Sequence, residues 1–113
     1  VASRPGAEKA GDANLVPEIL FNLGQLRLAG KDFGAATSSM EEALALVRAR
    51  GDIPRELRIL EHLGVAQSAA GDHDGAMKRF QEALDRAIGP ESKEHRIALR
   101  KRLQAAQQAV ARA

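Results

Sequence analysis

Shifted by forty positions, the chain matches itself without a gap. Ile19 falls on Ile59, Leu20 on Leu60, Leu23 on Leu63 and Gly24 on Gly64. Ala29 then meets Ala69, Asp32 meets Asp72, Ala36 meets Ala76, and Glu42-Ala43-Leu44 meets Glu82-Ala83-Leu84. The matches gather at apolar and small positions, where packing makes demands that solvent does not. A period of this length marks a repeat architecture, in which one helical or stranded unit cannot bury its apolar side alone and stacks on its neighbours.

Each copy reads as two helices. In the first, Ile19, Leu20, Leu23 and Leu26 recur at helical spacing and are expected to form its buried stripe. Ala29-Gly30 closes that helix, and Asp32 is placed to cap the next one. The second helix carries Phe33, Ala36, Met40, Ala43, Leu44 and Val47 and stops at Gly51, after which Asp52-Ile53-Pro54 supplies a cap and a first-turn proline. Copy two repeats the scheme. Leu57, Leu60, Leu63 and Ala66 line its first helix, Gly71-Asp72 makes the turn, and Ala76, Met77, Phe80, Ala83, Leu84 and Ala87 line the second up to Gly89-Pro90. A further shift of forty puts Leu103 on Leu63 and Ala109 on Ala69, so a closing helix with Leu99, Leu103, Ala106 and Val110 follows. Its other side is rich in Arg, Lys and Gln, as suits a helix that covers the last repeat and faces water.

This reading divides the chain into a disordered lead-in at 1–13 and a domain at 14–113. Repeat one takes 14–51, repeat two 52–90 and the capping helix 91–113. The lead-in is assigned on its Pro, Gly and charge content without periodicity. The chain opens at Val1 rather than Met, as a processed product or a piece of a longer protein would.

The motifs resemble the tetratricopeptide repeat. That family places a Leu-Gly pair midway along the first helix, an Ala early in the second, and then a large apolar residue and an Ala-Leu pair. Here these are Leu23-Gly24, Ala36, Met40 and Ala43-Leu44, and again Leu63-Gly64, Ala76, Phe80 and Ala83-Leu84. The resemblance covers about residues 15–112 and implies an all-α, right-handed solenoid of helical hairpins with two repeats and a C-terminal cap. Three departures stand out. The period is forty rather than about thirty-four, as in the long variants of bacterial signalling regulators. Leu20 and Leu60 replace a bulky aromatic, and Arg48 and Ile88 stand where the family has a proline.

The resemblance also implies a function, which is to bind a protein or peptide in the concave groove lined by the first helix of each repeat. Carried over, the groove positions are Glu18, Phe21, Gln25 and Leu28, then Arg58, Glu61, Val65 and Ser68, then Lys101 and Ala105 on the closing helix. Phe21 is the expected anchor for a partner, although Phe21 and Leu28 would serve equally to pack against the lead-in or a partner copy. A subgroup of the family grips C-terminal carboxylates with Lys, Asn and Arg. The matching positions hold Phe21, Gln25, His62, Ala98 and Arg102, of which Arg102 alone fits, so that mode is not expected. With so few repeats, self-association by stacking across chains is the alternative. A sensor domain attached to a transcription regulator is another.

Composition narrows the remaining classes. The 113 residues give room for one domain, and the absence of cysteine removes a disulfide framework, a thiolate zinc site and a cysteine nucleophile together. It also fits a cytoplasmic location. Ala, Arg and Gly richness points to a GC-rich bacterial source. A net charge of +2 and an aromatic content of 3%, with no Trp or Tyr, argue against nucleic acid. No apolar run approaches the roughly 20 residues that cross a bilayer. His73 lies between Asp72 and Asp74, but in a turn and without a second His at ligand spacing, so no metal is expected. His62 and His95 join no catalytic set, and the glycines are not clustered as in a phosphate loop. Neither a cofactor nor an enzymatic activity is expected. The closing helix carries Lys93, Arg96, Arg100, Lys101, Arg102 and Arg112, which reads first as a solvated face and second as a surface for an acidic partner.

Overall fold

Asp32, Asp52 and Asp72 stand twenty residues apart, and each closes one helix while opening the next. The computed structural model describes residues 5–112, with side chains from Leu15 onward except that of Glu91. In it the Asp amides donate to carbonyls five residues back, Asp32 to Arg27 at 2.8 Å, Asp52 to Val47 at 3.0 Å and Asp72 to Gln67 at 2.8 Å. The residue before each takes a left-handed backbone, with φ of 63° at Lys31, 66° at Gly51 and 90° at Gly71. Together these make a Schellman closure. The same Asp carboxylates accept from the amides of Ala35, Arg55 and Gly75 as N-caps. The expected caps hold, but the first turn reverses through Lys31 rather than Gly30.

The helices so punctuated are α1 (Pro5–Ala29), α2 (Phe33–Ala49), α3 (Ile53–Ala69) and α4 (His73–Arg86), followed by a 3₁₀ turn (Pro90–Ser92) and α5 (Lys93–Arg112). No strand occurs among the described residues. The fourth turn is built differently. Gly89 has a φ of 106°, and Arg96 of α5 donates to the carbonyls of Leu84 and Ala87 at 2.6 and 2.7 Å. A side chain from the next helix thus satisfies carbonyls that α4 leaves open at its end. At the other end, the disordered lead-in assigned to 1–13 differs from the structure, which has helical backbone from Pro5. Proline is tolerated in a first turn, and the Ala, Glu and Lys residues that follow are good helix formers. Residues 1–4 lie outside the described residues.

Each helix packs on the one before it. Ion pairs show which alternate helices are neighbours. Arg55 of α3 reaches Glu18 of α1, and Arg102 of α5 reaches Glu61 of α3, so α1, α3 and α5 lie side by side. Arg48 of α2 reaches Glu82 of α4, so α2 and α4 form the second layer. The core between the layers holds Phe21, Met40, Val47, Leu60, Leu63, Phe80, Leu84 and Leu99, each such side chain contributing about 1.5–3 kcal/mol by leaving water. The repeated glycines sit at tight contacts between the layers. A Cβ on Gly24 would lie 2.7 Å from Met40 Cγ, and one on Gly64 would lie 2.5 Å from the Phe80 ring.

The expected stripes of α2 to α5 face the core, with Phe33, Leu57, Met77, Leu103 and Val110 half-buried at its margins. That of α1 does not. Its buried side is Pro17, Phe21 and Gly24, flanked by Leu20 and Leu28, while Ile19 and Leu26 face outward and Leu23 is half-buried. The physical reason is the number of neighbours. In α3 both the α2 side and the α4 side are covered, whereas α1 has only α2 and the edge of α3.

Candidate functional site

The face made by α1, α3 and α5 is where the sequence placed the binding residues, and the structure distributes them unevenly. Phe21, the expected anchor, is 2% exposed and belongs to the core. The His62 ring meets it edge-on with centroids 4.9 Å apart, and the Arg58 guanidinium lies 4.8 Å from its centroid. It therefore packs between α1 and α3 under a cationic lid and offers a partner nothing directly. Glu18 is half-buried and accepts from Arg55 at 3.1 Å, with Arg58 4.0 Å away. Leu28 packs half-buried against the core, and Gln25 is half-buried near it in sequence. The α1 part of the face is thus largely engaged in holding α3.

At the head of α3 the ionic contacts converge on one arginine. Arg55 bridges Glu18 and its own cap residue Asp52, at 3.1 and 2.8 Å. The Arg55 side chain holds the Asp52 carboxyl below the ordinary carboxylate range. In return Asp52 first, and Glu18 second, raise Arg55 above the usual arginine value.

The gap between α3 and α5 is more open. It is crossed at its middle by Glu61, which accepts from Arg102 at 2.7 Å and has His95 Nδ1 at 3.8 Å. On the N-terminal side of this bridge lies a cavity of about 590 Å³. Ile53, Pro54, Leu57 and Ile88 give it an apolar lining, Arg58, Asp85 and Arg86 supply the charge, and Ser92 and His95 complete the wall. On the other side a second hollow of about 240 Å³ is lined by Val65, Ser68, Ala69, Phe80, Arg102, Ala105 and Ala106. Arg58, Val65 and Ser68 of the sequence-derived set, with Ala105, therefore line hollows, and Glu61 divides them. Lys101 is exposed, but its neighbour Arg102 makes the contact across the gap. Ser68 Oγ also lies 3.2 Å from His73 Nδ1, which ties that histidine to the turn.

Sequence reasoning missed Ile53, Leu57 and Ile88 as surface apolar residues. Ile88 follows the end of α4, where a lone apolar residue reads as loop, and Leu57 reads as core by its spacing. It also missed a charge cluster on the other side of α3. Glu56, whose side chain is 3% exposed, accepts from Arg48 at 3.1 Å and from Arg86 at 2.9 Å. Arg48 continues to Glu82, and Arg79 joins Glu82 to Glu41. Arg48 stands where the resemblance had led one to look for a proline, so that departure is repaid by an ionic tie between α2, α3 and α4. Among the described residues no three His, Asp or Glu side chains converge as metal ligands, and no helix is long and apolar enough to cross a membrane.

A protein-family model described as tetratricopeptide repeat matches residues 15–88. No curated protein sequence and no solved structure matches the chain.

Proposed function

We propose that this chain, which belongs to the tetratricopeptide repeat family, binds a peptide or the edge of a partner domain along the gap between α3 and α5. Repeats of this family generally mediate protein–protein interaction, and nothing in the mechanism calls for chemistry. The observation that carries the finer reading is the pair of hollows either side of the Glu61–Arg102 bridge. An apolar hollow of several hundred cubic ångströms with a few charges at its rim is the usual form of a recognition site. Arg58 and Arg86 outnumber Asp85 around the larger one, so the ligand is read as an apolar side chain flanked by acidic groups. The bridge between the hollows would set the spacing of two anchors along an extended or helical segment. The setting is read as the repeat portion of a larger bacterial regulatory protein in the cytoplasm, a reading supported by the forty-residue period and by composition.

The test is a random-peptide display selection followed by affinity measurement on variants. Leu57→Asp and Ala105→Arg should each weaken the selected peptides by about tenfold or more, while Ser38→Arg on α2 leaves them unchanged. Raised salt should weaken binding if the acidic flank is right. Peptides that bind all three variants equally, with helicity intact, would refute the placement.

A further inference from the structure

Val16, Glu56 and Arg96 hold one register position in α1, α3 and α5, and so do Ile19, Ile59 and Leu99, and Leu26, Ala66 and Ala106. In α3 and α5 this side faces the preceding second-layer helix. Glu56 bonds to Arg48 of α2, and Arg96 bonds to the end of α4. Ile59 and Leu99 are 3% and 0% exposed there, and Ala66 and Ala106 are 0% and 3%. In α1 the same side is open, with Ile19 at 54% and Leu26 at 70%. Leu15 and Val16 are also exposed on it. Four of the six large apolar side chains exposed among the described residues lie in this one stripe, and the charge that α3 and α5 carry at its first position is a valine here.

We infer that the outer stripe of α1, Leu15, Val16, Ile19 and Leu26 with half-buried Leu23, is a self-association surface on which a second copy of this chain seats its own α1 across a two-fold axis. What can cover the stripe follows from the rest of the molecule. The outward sides of the second-layer helices are mainly polar, with Ser38, Glu41 and Glu42 exposed on α2 and Lys78, Gln81 and Asp85 on α4. The far end of the stack is mainly polar, with Ile97 as its one exposed large apolar side chain among the described residues. Arg100 stands in the register place of buried Leu60, Gln104 in that of Gly64, and both are exposed with Lys101, Gln107 and Gln108. Head-to-tail stacking would therefore set an apolar stripe against charges and amides. The surface that matches the stripe is the stripe itself, which is the condition for an isologous pair. Leu15, Ile19, Asn22 and Leu26 step by four, three and four residues, the spacing of a two-helix seam, and the amide of Asn22 sits inside it as a register-fixing polar group. Such a pair leaves the α3–α5 gap of each copy open, so the assembly is bivalent for its ligand.

Sedimentation equilibrium on the chain and on single variants tests this, with circular dichroism as the control for folding. The expected result is a concentration-dependent dimer. Leu26→Glu should raise its dissociation constant at least about thirtyfold, the size of a hot-spot loss, and Ile97→Glu on α5 should leave it unchanged. Ile19→Lys is the second variant, should Leu26→Glu lose helicity. A chain still monomeric at about 1 mM, or a dimer that survives both α1 substitutions, would overturn the inference without touching the reading of the α3–α5 gap.

Discussion

Phe21 and His62 meet edge to face, centroids 4.9 Å apart and planes at 88°, in the junction between repeat one and repeat two. Forty residues on, Glu61 and Arg102 fill the same two places in the junction between repeat two and α5, at 2.7 Å. One structural position is therefore met by an aromatic pair in one copy and an ion pair in the other. The first is buried and the second half-exposed, so their energetic weights differ. Phe21→Ala should destabilise the fold by about 3–5 kcal/mol, the range for truncating a buried Phe. Glu61→Ala should cost no more than about 1 kcal/mol, as for surface pairs. Urea melts of the two variants read the difference directly, and equal losses would contradict the assignment of Phe21 to the core.

Glu56 is the one described acid with so little exposure, and its two arginines approach from α2 and α4. Replacing it by a shape-filling apolar residue removes charge and need together, so Glu56→Leu should change stability by less than about 1 kcal/mol. Removing both partners, Arg48→Ala with Arg86→Ala, leaves a buried carboxylate without its ionic ties. That double variant should lose about 3–5 kcal/mol. Chemical denaturation of both proteins gives the comparison, and the opposite ranking would mean that the cluster is not held as described.

Lys31 occupies the left-handed position that glycine holds in the other two turns. A side chain in that region is strained by roughly 1–2 kcal/mol, against which the added freedom of an unfolded glycine must be set. Lys31→Gly should therefore stabilise the protein by about 0.5–1 kcal/mol. The matching exchange Gly51→Lys should destabilise it. Thermal melts that move the other way would show that the first turn tolerates Lys31 without strain.

Asp52 links stability to pH. Its carboxyl titrates below the ordinary value because of the Arg55 hydrogen bond. A depressed folded-state pKa contributes stability that is fully present above the unfolded value of about 3.9 and is lost as pH falls through the folded value. Asp52→Asn keeps a capping side chain but removes this titration. Between neutral pH and acid, its urea midpoint should fall less than that of the parent chain. An identical acid response would separate Asp52 from the pH dependence.

The parts of the fold that were legible in the sequence are those fixed locally or repeated. Asp32, Asp52 and Asp72 announce caps because a carboxylate three residues before an amide satisfies it within one turn. Gly24 and Gly64 announce close helix contact because they recur in register opposite Ala36 and Ala76. The α1 stripe was not legible, because spacing alone records which side of a helix is apolar and not which neighbour covers it. Ile19 and Leu26 carry the same pattern as Ile59 and Ala66, yet only the latter pair has α2 against it. Phe21 matches Glu61 in register, so the repeat supplied no hint that it would be buried. Glu56 was missed because its partners lie eight and thirty residues away. For the candidate site, Val65, Ser68 and Arg58 were reached by carrying over groove positions, whereas the apolar cavity depends on how the 3₁₀ turn brings Ile88 and His95 to the head of α3.

The most direct test of the binding face is nuclear magnetic resonance mapping with a display-selected peptide titrated into isotope-labelled protein. The account predicts that amide shifts cluster at Leu57, Val65, Ser68, Arg102 and Ala105, on both sides of the Glu61–Arg102 bridge. Shifts confined to outward residues of the second layer, such as Glu41, Ala45, Lys78 and Gln81, with the α3–α5 gap silent, would contradict it.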